Sequence, residues 1–122
     1  MHEKRKFRRL AIEEVAKCQA RFRTDNQGVV TGHVISLSAG GAFLALDPIF
    51  LAKMDVGLIL QSIQFGKADL AHIRPDGEVV YVLDRDRLKG IGVAFTGLSG
   101  PQIQELDAYV NQGLKDTPLF NA

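Results

Sequence analysis

A chain of 122 residues, 46% apolar and 24% charged, has the size and makeup of one water-soluble globular domain, expected over 1–122, with a single core. The lone Cys18 excludes an intramolecular disulfide and fits a reducing compartment, so the cytoplasm is the expected setting. No stretch nears the roughly 20 apolar residues that cross a bilayer, and Glu13 and Glu14 fall where a signal peptide would need an apolar run, so membrane insertion is not expected.

The net charge of +1 is unevenly distributed. Residues 1–9 hold Lys4, Arg5, Lys6, Arg8 and Arg9 against Glu3, a local charge of +4, while the other 10 basic and 13 acidic residues sum to −3. A cationic arm (1–12) on an acidic body points to an anionic ligand or surface, although alone it reads equally as a flexible, solubilising terminus. From an extended arm, the guanidinium groups of Arg5 and Arg9 can grip a compact ligand from two sides, each hydrogen-bonding phosphate oxygens or stacking on a base. On a helix the same spacing would make only a basic stripe.

From residue 13 to 97 the pattern is one of short β-prone runs broken by turn residues, which predicts a small closed barrel or sandwich. Val15–Phe22 reads as the first strand, with Cys18 on its apolar face, and Asp25-Asn26-Gln27-Gly28 as a hairpin turn. Val30–Leu37 and Ala42–Leu46 follow around Ser38-Ala39-Gly40-Gly41. There the two glycines permit positive φ and a close approach of backbone to ligand, and Ser36 and Ser38 offer hydroxyls; Gly-Gly is also an ordinary tight turn. After Asp47-Pro48 come Val56–Phe65, a weaker run at Leu70–Arg74, a turn at Pro75-Asp76-Gly77, and strands Glu78–Leu83 and Gly90–Phe95 around a long charged loop, Asp84–Lys89.

The period then changes. Ser99 with Gln102 makes a capping-box pattern, Pro101 suits a first turn, and Ile103, Leu106, Val110 and Leu114 recur at helical spacing, predicting an amphipathic helix over 99–114 and a tail over 115–122. Support for catalysis is lacking. His2, His33 and His72 are scattered without metal-ligand spacing, Asp84 and Asp86 alternate with Arg85 and Arg87, and Ser36 and Ser38 have no evident base, so neither an enzyme nor a metal site is expected.

The two site segments, in this order and on this strand pattern, resemble the PilZ domain, the bacterial receptor module for cyclic di-GMP. Its RxxxR motif is matched by Arg5-Lys6-Phe7-Arg8-Arg9. Its D/NxSxxG motif corresponds to Ser36-Leu37-Ser38-Ala39-Gly40-Gly41, continued by Ala42-Phe43-Leu44, with Arg9 and Ser36 lying 27 positions apart. Gly77–Val82 and Gly90–Phe95 look like the family's late strands, so the resemblance spans nearly the whole chain. It implies a six-stranded antiparallel split-type barrel with a C-terminal helix that takes cyclic di-GMP as ligand, with no cofactor. Arg5 and Arg9 would hold phosphates and stack on guanine, Ser38 would bond to the ligand, Gly41 would keep the strand end tight, and Arg8 and Lys4 would assist.

Ser36 departs from the motif's Asp or Asn. A lost pair of base-edge hydrogen bonds costs about 1–3 kcal/mol, partly recoverable through the hydroxyl or a bridging water. The resemblance implies a receptor whose arm orders on the ligand and signals in trans to a bacterial partner protein. The alternative is a PilZ-like adaptor that no longer binds the nucleotide. The acidic body, with no stacking aromatic near the arm beyond Phe7, argues against nucleic acid.

Overall fold

The computed structural model describes residues 10, 11 and 18–116, with side chains from 18 to 112. Period-two alternation builds the sheet. In β2 (Gln19–Thr24), Ala20, Phe22 and Thr24 are buried while Gln19, Arg21 and Arg23 face solvent. The buried Thr24 hydroxyl is satisfied locally, donating to Asn26 Oδ1 (2.9 Å) and accepting from the Gln27 N–H (3.1 Å). Gly28, at φ +75°, then turns the chain into β3 (Gly28–Ser38), a conformation that favours glycine.

The remaining strands are β4 (Gly41–Ala45), β5 (Ile59–Phe65), β6 (Asp76–Arg85) and β7 (Leu88–Thr96), preceded by a two-residue β1 (Leu10–Ala11). Six of them close an antiparallel barrel in the order β3-β2-β5-β6-β7-β4, with β4 pairing back onto β3. The eleven residues of β3 serve two neighbours on one edge. Gly28–His33 pair with β2, and farther along Leu37 and Ser36 pair with Leu10 and Ala11 of β1. The expected six-stranded barrel with a C-terminal helix is therefore the observed fold, and β1 adds a short seventh strand outside the ring.

A ring this small must bend its strands, and register breaks occur at Val34/Ser36 of β3, opposite Arg21/Arg23 on β5, and at Val79/Tyr81 of β6. Inside, Phe22, Leu37, Leu44, Leu60, Ile63, Phe65, Val79, Ile91 and Val93 form the core, with Phe95 edge-on to Phe65 at 5.9 Å between ring centroids. Cys18 belongs to this core, and burial raises its thiol pKa above the ordinary value.

Helix α2 (Gly100–Asp116) lays its apolar stripe on the barrel, with Leu106 and Val110 fully buried and the helix packing beside β1 and β3. Its start is the capping box expected from the sequence. The Gln102 N–H donates to Ser99 Oγ (3.3 Å), and the Ser99 N–H donates to Gln102 Oε1 (3.0 Å). Ser99→Ala is expected to lose about 1 kcal/mol, read as a melting temperature lower by a few degrees; an unchanged melt would mean that packing alone holds this helix end.

Five expectations need correction. Leu70–Arg74 is not a strand: a 3-10 turn at Ala68–Leu70 buries Leu70, and Ile73 follows three residues later on the same side. Pro75-Asp76-Gly77 is not a turn but the entry to β6, and Gly77 is small because a Cβ there would meet Val93 Cγ1 at 2.5 Å. The charged loop 84–89 shrinks to Asp86-Arg87, since Arg85 pairs with Leu88 and Asp84 with Lys89, whose ammonium donates to Asp84 at 2.6 Å. A one-turn helix α1 (Pro48–Leu51) follows Asp47, with Pro48 at its first position; the sequence reading had only a strand end there. Helix α2 also runs two residues beyond the expected 114.

Candidate functional site

The β3–β4 hairpin carries the described part of the expected site. Leu37 points into the core, so Ser36 and Ser38 alternate onto the outer face, a parity set by the bulge at Val34/Ser36. Both are largely covered, at 9% and 4% exposure. The Ser38 hydroxyl accepts the Gly40 N–H (3.2 Å) and donates to the Gly41 carbonyl (3.4 Å). It therefore tightens the turn, besides any role toward a ligand.

Gly41 has a reason of its own. The positive-φ glycines among the described residues are Gly28, Gly57 and Gly97, so Gly40 and Gly41 do not use the left-handed freedom expected of them. A Cβ on Gly41 would instead lie 2.0 Å from the Val93 carbonyl oxygen of β7. The motif's last glycine is thus dictated by strand packing, and the adjacent Gly40 carbonyl accepts the Phe95 N–H at 2.9 Å.

Beside the hairpin is a pair of rings that sequence reasoning missed. Ser36 lies opposite Phe43, Phe43 opposite Gly92, and Gly92 opposite Tyr81, so one row crosses β3, β4, β7 and β6 on the outer face. Phe43 and Tyr81 stack with centroids 6.0 Å apart and planes 18° from parallel. Gly92 makes room for Tyr81, because a Cβ there would meet Tyr81 Cε2 at 2.1 Å. Phe43 is buried and Tyr81 is 45% exposed, which leaves one aromatic ring open at the end of this row. The sequence signal was Gly92 between two β-branched core residues, too common to single out.

Lys4, Arg5, Arg8 and Arg9 lie outside the described residues. Their connection to the hairpin is described: Leu10 is opposite Leu37 and Ala11 opposite Ser36, so two residues within the span of the arm pair with the strand that carries Ser36 and Ser38. Among the described residues no group of three or more His, Cys, Asp or Glu is arranged to hold a metal, and no helix is long and apolar enough to cross a membrane.

Comparison with known proteins gives a consistent picture. The model of the PilZ domain matches residues 3–112. The fold is similar to the PilZ domain of YcgR from Escherichia coli, solved with c-di-GMP: TM-score 0.72, 13% identity, 93% of this chain and 94% of that one. It is also similar to MrkH of K. pneumonia (TM-score 0.72, 17% identity, 95% of this chain and 52% of that one). For the inhibitor of motility MotI/DgrA of Bacillus subtilis the values are 0.68, 12%, 95% and 54%. The chain spans about half the length of these last two and 47% of the longer YcgR chain. At these identities the likeness establishes the fold. No curated protein matches the sequence.

Proposed function

We propose that this chain, which belongs to the PilZ domain family, is a non-enzymatic receptor for cyclic di-GMP. The ligand site would be built by Arg5 and Arg9, with Lys4 and Arg8 in support, against Ser36, Ser38 and Gly41. The observation that carries this reading is the β1–β3 register. Arg9 is bonded to Leu10, and Leu10 faces the residue between the two serines. Motif residues 27 positions apart in sequence are therefore joined through one short antiparallel ladder, which supports a shared site.

The chemistry follows from the residue types. Two guanidinium groups suit the two phosphates of a cyclic dinucleotide, each as a planar, bidentate donor. Phosphate charge offsets the +4 of the arm, so binding would draw the arm onto the hairpin and alter the outer surface there. A partner protein reading that surface would receive the signal in trans.

Calorimetric titration with cyclic di-GMP, with GTP as the control for general anion attraction, tests the reading. Binding in the micromolar range that GTP does not reproduce is expected. Ser36→Asn, which restores the amide of the family motif, is expected to tighten binding about 10- to 100-fold. No binding by either protein at high micromolar ligand and low salt would end the receptor reading. It would leave the nucleotide-free adaptor, for which Ile49, 73% exposed on α1, and Val56, 68% exposed, offer apolar contact.

A further inference from the structure

We propose that the outer face of β2 and β5 is a second binding surface, a docking site for an acidic segment of a partner protein, with Arg21, Arg23 and Arg74 as its anion-binding residues. The inference is independent of nucleotide binding. Arg21 and Arg23 alternate with buried Ala20 and Phe22, so both guanidinium groups leave the barrel on one side. Together with Arg74, Gln61, Ser62 and Gln64 they line an open concavity of about 290 Å³.

Positive charge is in excess in this concavity. No carboxylate lines it, and among the described residues none of the three arginines forms an ion pair. The nearest acids by sequence and pairing, Asp25 and Asp76, stand at its edge, accepting from Gln61 Nε2 (3.4 Å) and from the Ser62 N–H (2.8 Å), which leaves three arginines against two carboxylates. A solvated sheet face ordinarily sets carboxylates across from arginines, since opposite-charge cross-strand pairs stabilise. Here the cross-strand positions hold neutral amides instead: Gln64 is opposite Arg21 and Gln61 opposite Arg23. The bulge between them is held with Ser62 at φ +52°, a costly conformation for a non-glycine residue.

An acidic protein segment fits these features better than a nucleic acid does. Residues two apart on a strand stand about 6.6 Å apart, close to the spacing of carboxylates three or four positions apart on a helix or two apart on an extended peptide. The glutamine amides donate to carboxylate oxygens in the same row. The concavity exposes no aromatic ring for base stacking, since Phe22 is 1% exposed.

The test is an amide-resolved NMR titration of the full chain with a synthetic glutamate–alanine peptide, and separately with inorganic phosphate and oligothymidylate. Shifts confined to β2, β5 and the neighbourhood of Arg74 are expected. Arg21→Gln/Arg23→Gln, whose fold the same spectra check, should weaken the peptide at least about ten-fold, whereas Arg5→Ala/Arg9→Ala should not. Peptide binding that survives Arg21→Gln/Arg23→Gln, or that Arg5→Ala/Arg9→Ala removes, overturns the assignment. Oligothymidylate binding this face as tightly would make it a nucleic-acid surface, and phosphate producing the same shifts at the same concentration would make it a small-anion site; each also overturns the proposal.

Discussion

Gly41→Ala is expected to destabilise the fold by about 3 kcal/mol, lowering the melting temperature by on the order of 10 °C. The added Cβ would lie 2.0 Å from the Val93 carbonyl oxygen, 3.1 Å from Val93 C and 3.3 Å from Ala94 Cα, all backbone atoms of β7 that no rotamer change can move. Relief requires the β4 and β7 strands to part at the Gly41–Ala94 pair, and with that the neighbouring Phe95 N–H bond to Gly40 is strained or lost. Gly100→Ala is the matched control, because a Cβ there meets nothing within 4 Å and should leave the melt unchanged. Equal melting temperatures for the two variants would sink the packing argument.

That result would bear on the family motif. A glycine at its last position is naturally read as making room for ligand, yet here a structural constraint suffices to explain it. Loss of cyclic di-GMP binding in a Gly41 variant would therefore report a damaged barrel, and the ligand contacts have to be tested at residues that the ladder does not need.

Local patterns carried most of the fold in the sequence. Alternation around Phe22, the Asp25–Gly28 turn and the Ser99–Gln102 box each depend on residues within a few positions; the turn and the box appear as the sequence suggests, while β2 runs to Thr24, two residues past the expected strand end at Phe22. The misread segments are those where local pattern and packing diverge. Leu70 and Ile73 suit a strand or a turn equally, and only their shared burial decides for the 3-10 turn. Pro75 and Gly77 look like punctuation, but Gly77 is small to fit beneath Val93.

The site divides in the same way. Ser38 and Gly41 were legible as a tight strand junction, although Gly41 serves close packing and neither Gly40 nor Gly41 takes a positive φ. The Phe43–Tyr81 stack and the Arg21, Arg23 and Arg74 cluster were not, because each is assembled by strand neighbours distant in sequence and by bulges that leave no sequence signal. The two-residue β1 is shorter than any pattern rule can detect, yet it is what links the arm to the hairpin.

The largest effect on binding should come from the arm. If Arg5 and Arg9 each hold one ligand phosphate, each contributes hydrogen bonds to a charged group worth about 1.5–3 kcal/mol. Neighbouring groups on one ligand do not add simply, so the pair supplies less than the sum. The double variant Arg5→Ala/Arg9→Ala should still weaken cyclic di-GMP at least about 100-fold. Its ligand-free melting temperature should stay that of the parent, because both substitutions precede β1 and alter no residue of the ladder from Gln19 to Thr96. The parent should also be stabilised by ligand, by about 2.7 kcal/mol at 100 times its dissociation constant, and the variant should lose that shift at the same concentration. Calorimetry and a ligand-dependent melt thus read one interaction in two ways, and an affinity within three-fold of the parent would remove the arginines from the site. Ser36 and Ser38 would then have to anchor the nucleotide through hydroxyls, weaker and uncharged contacts, and the charge of the arm would have to serve some other anion.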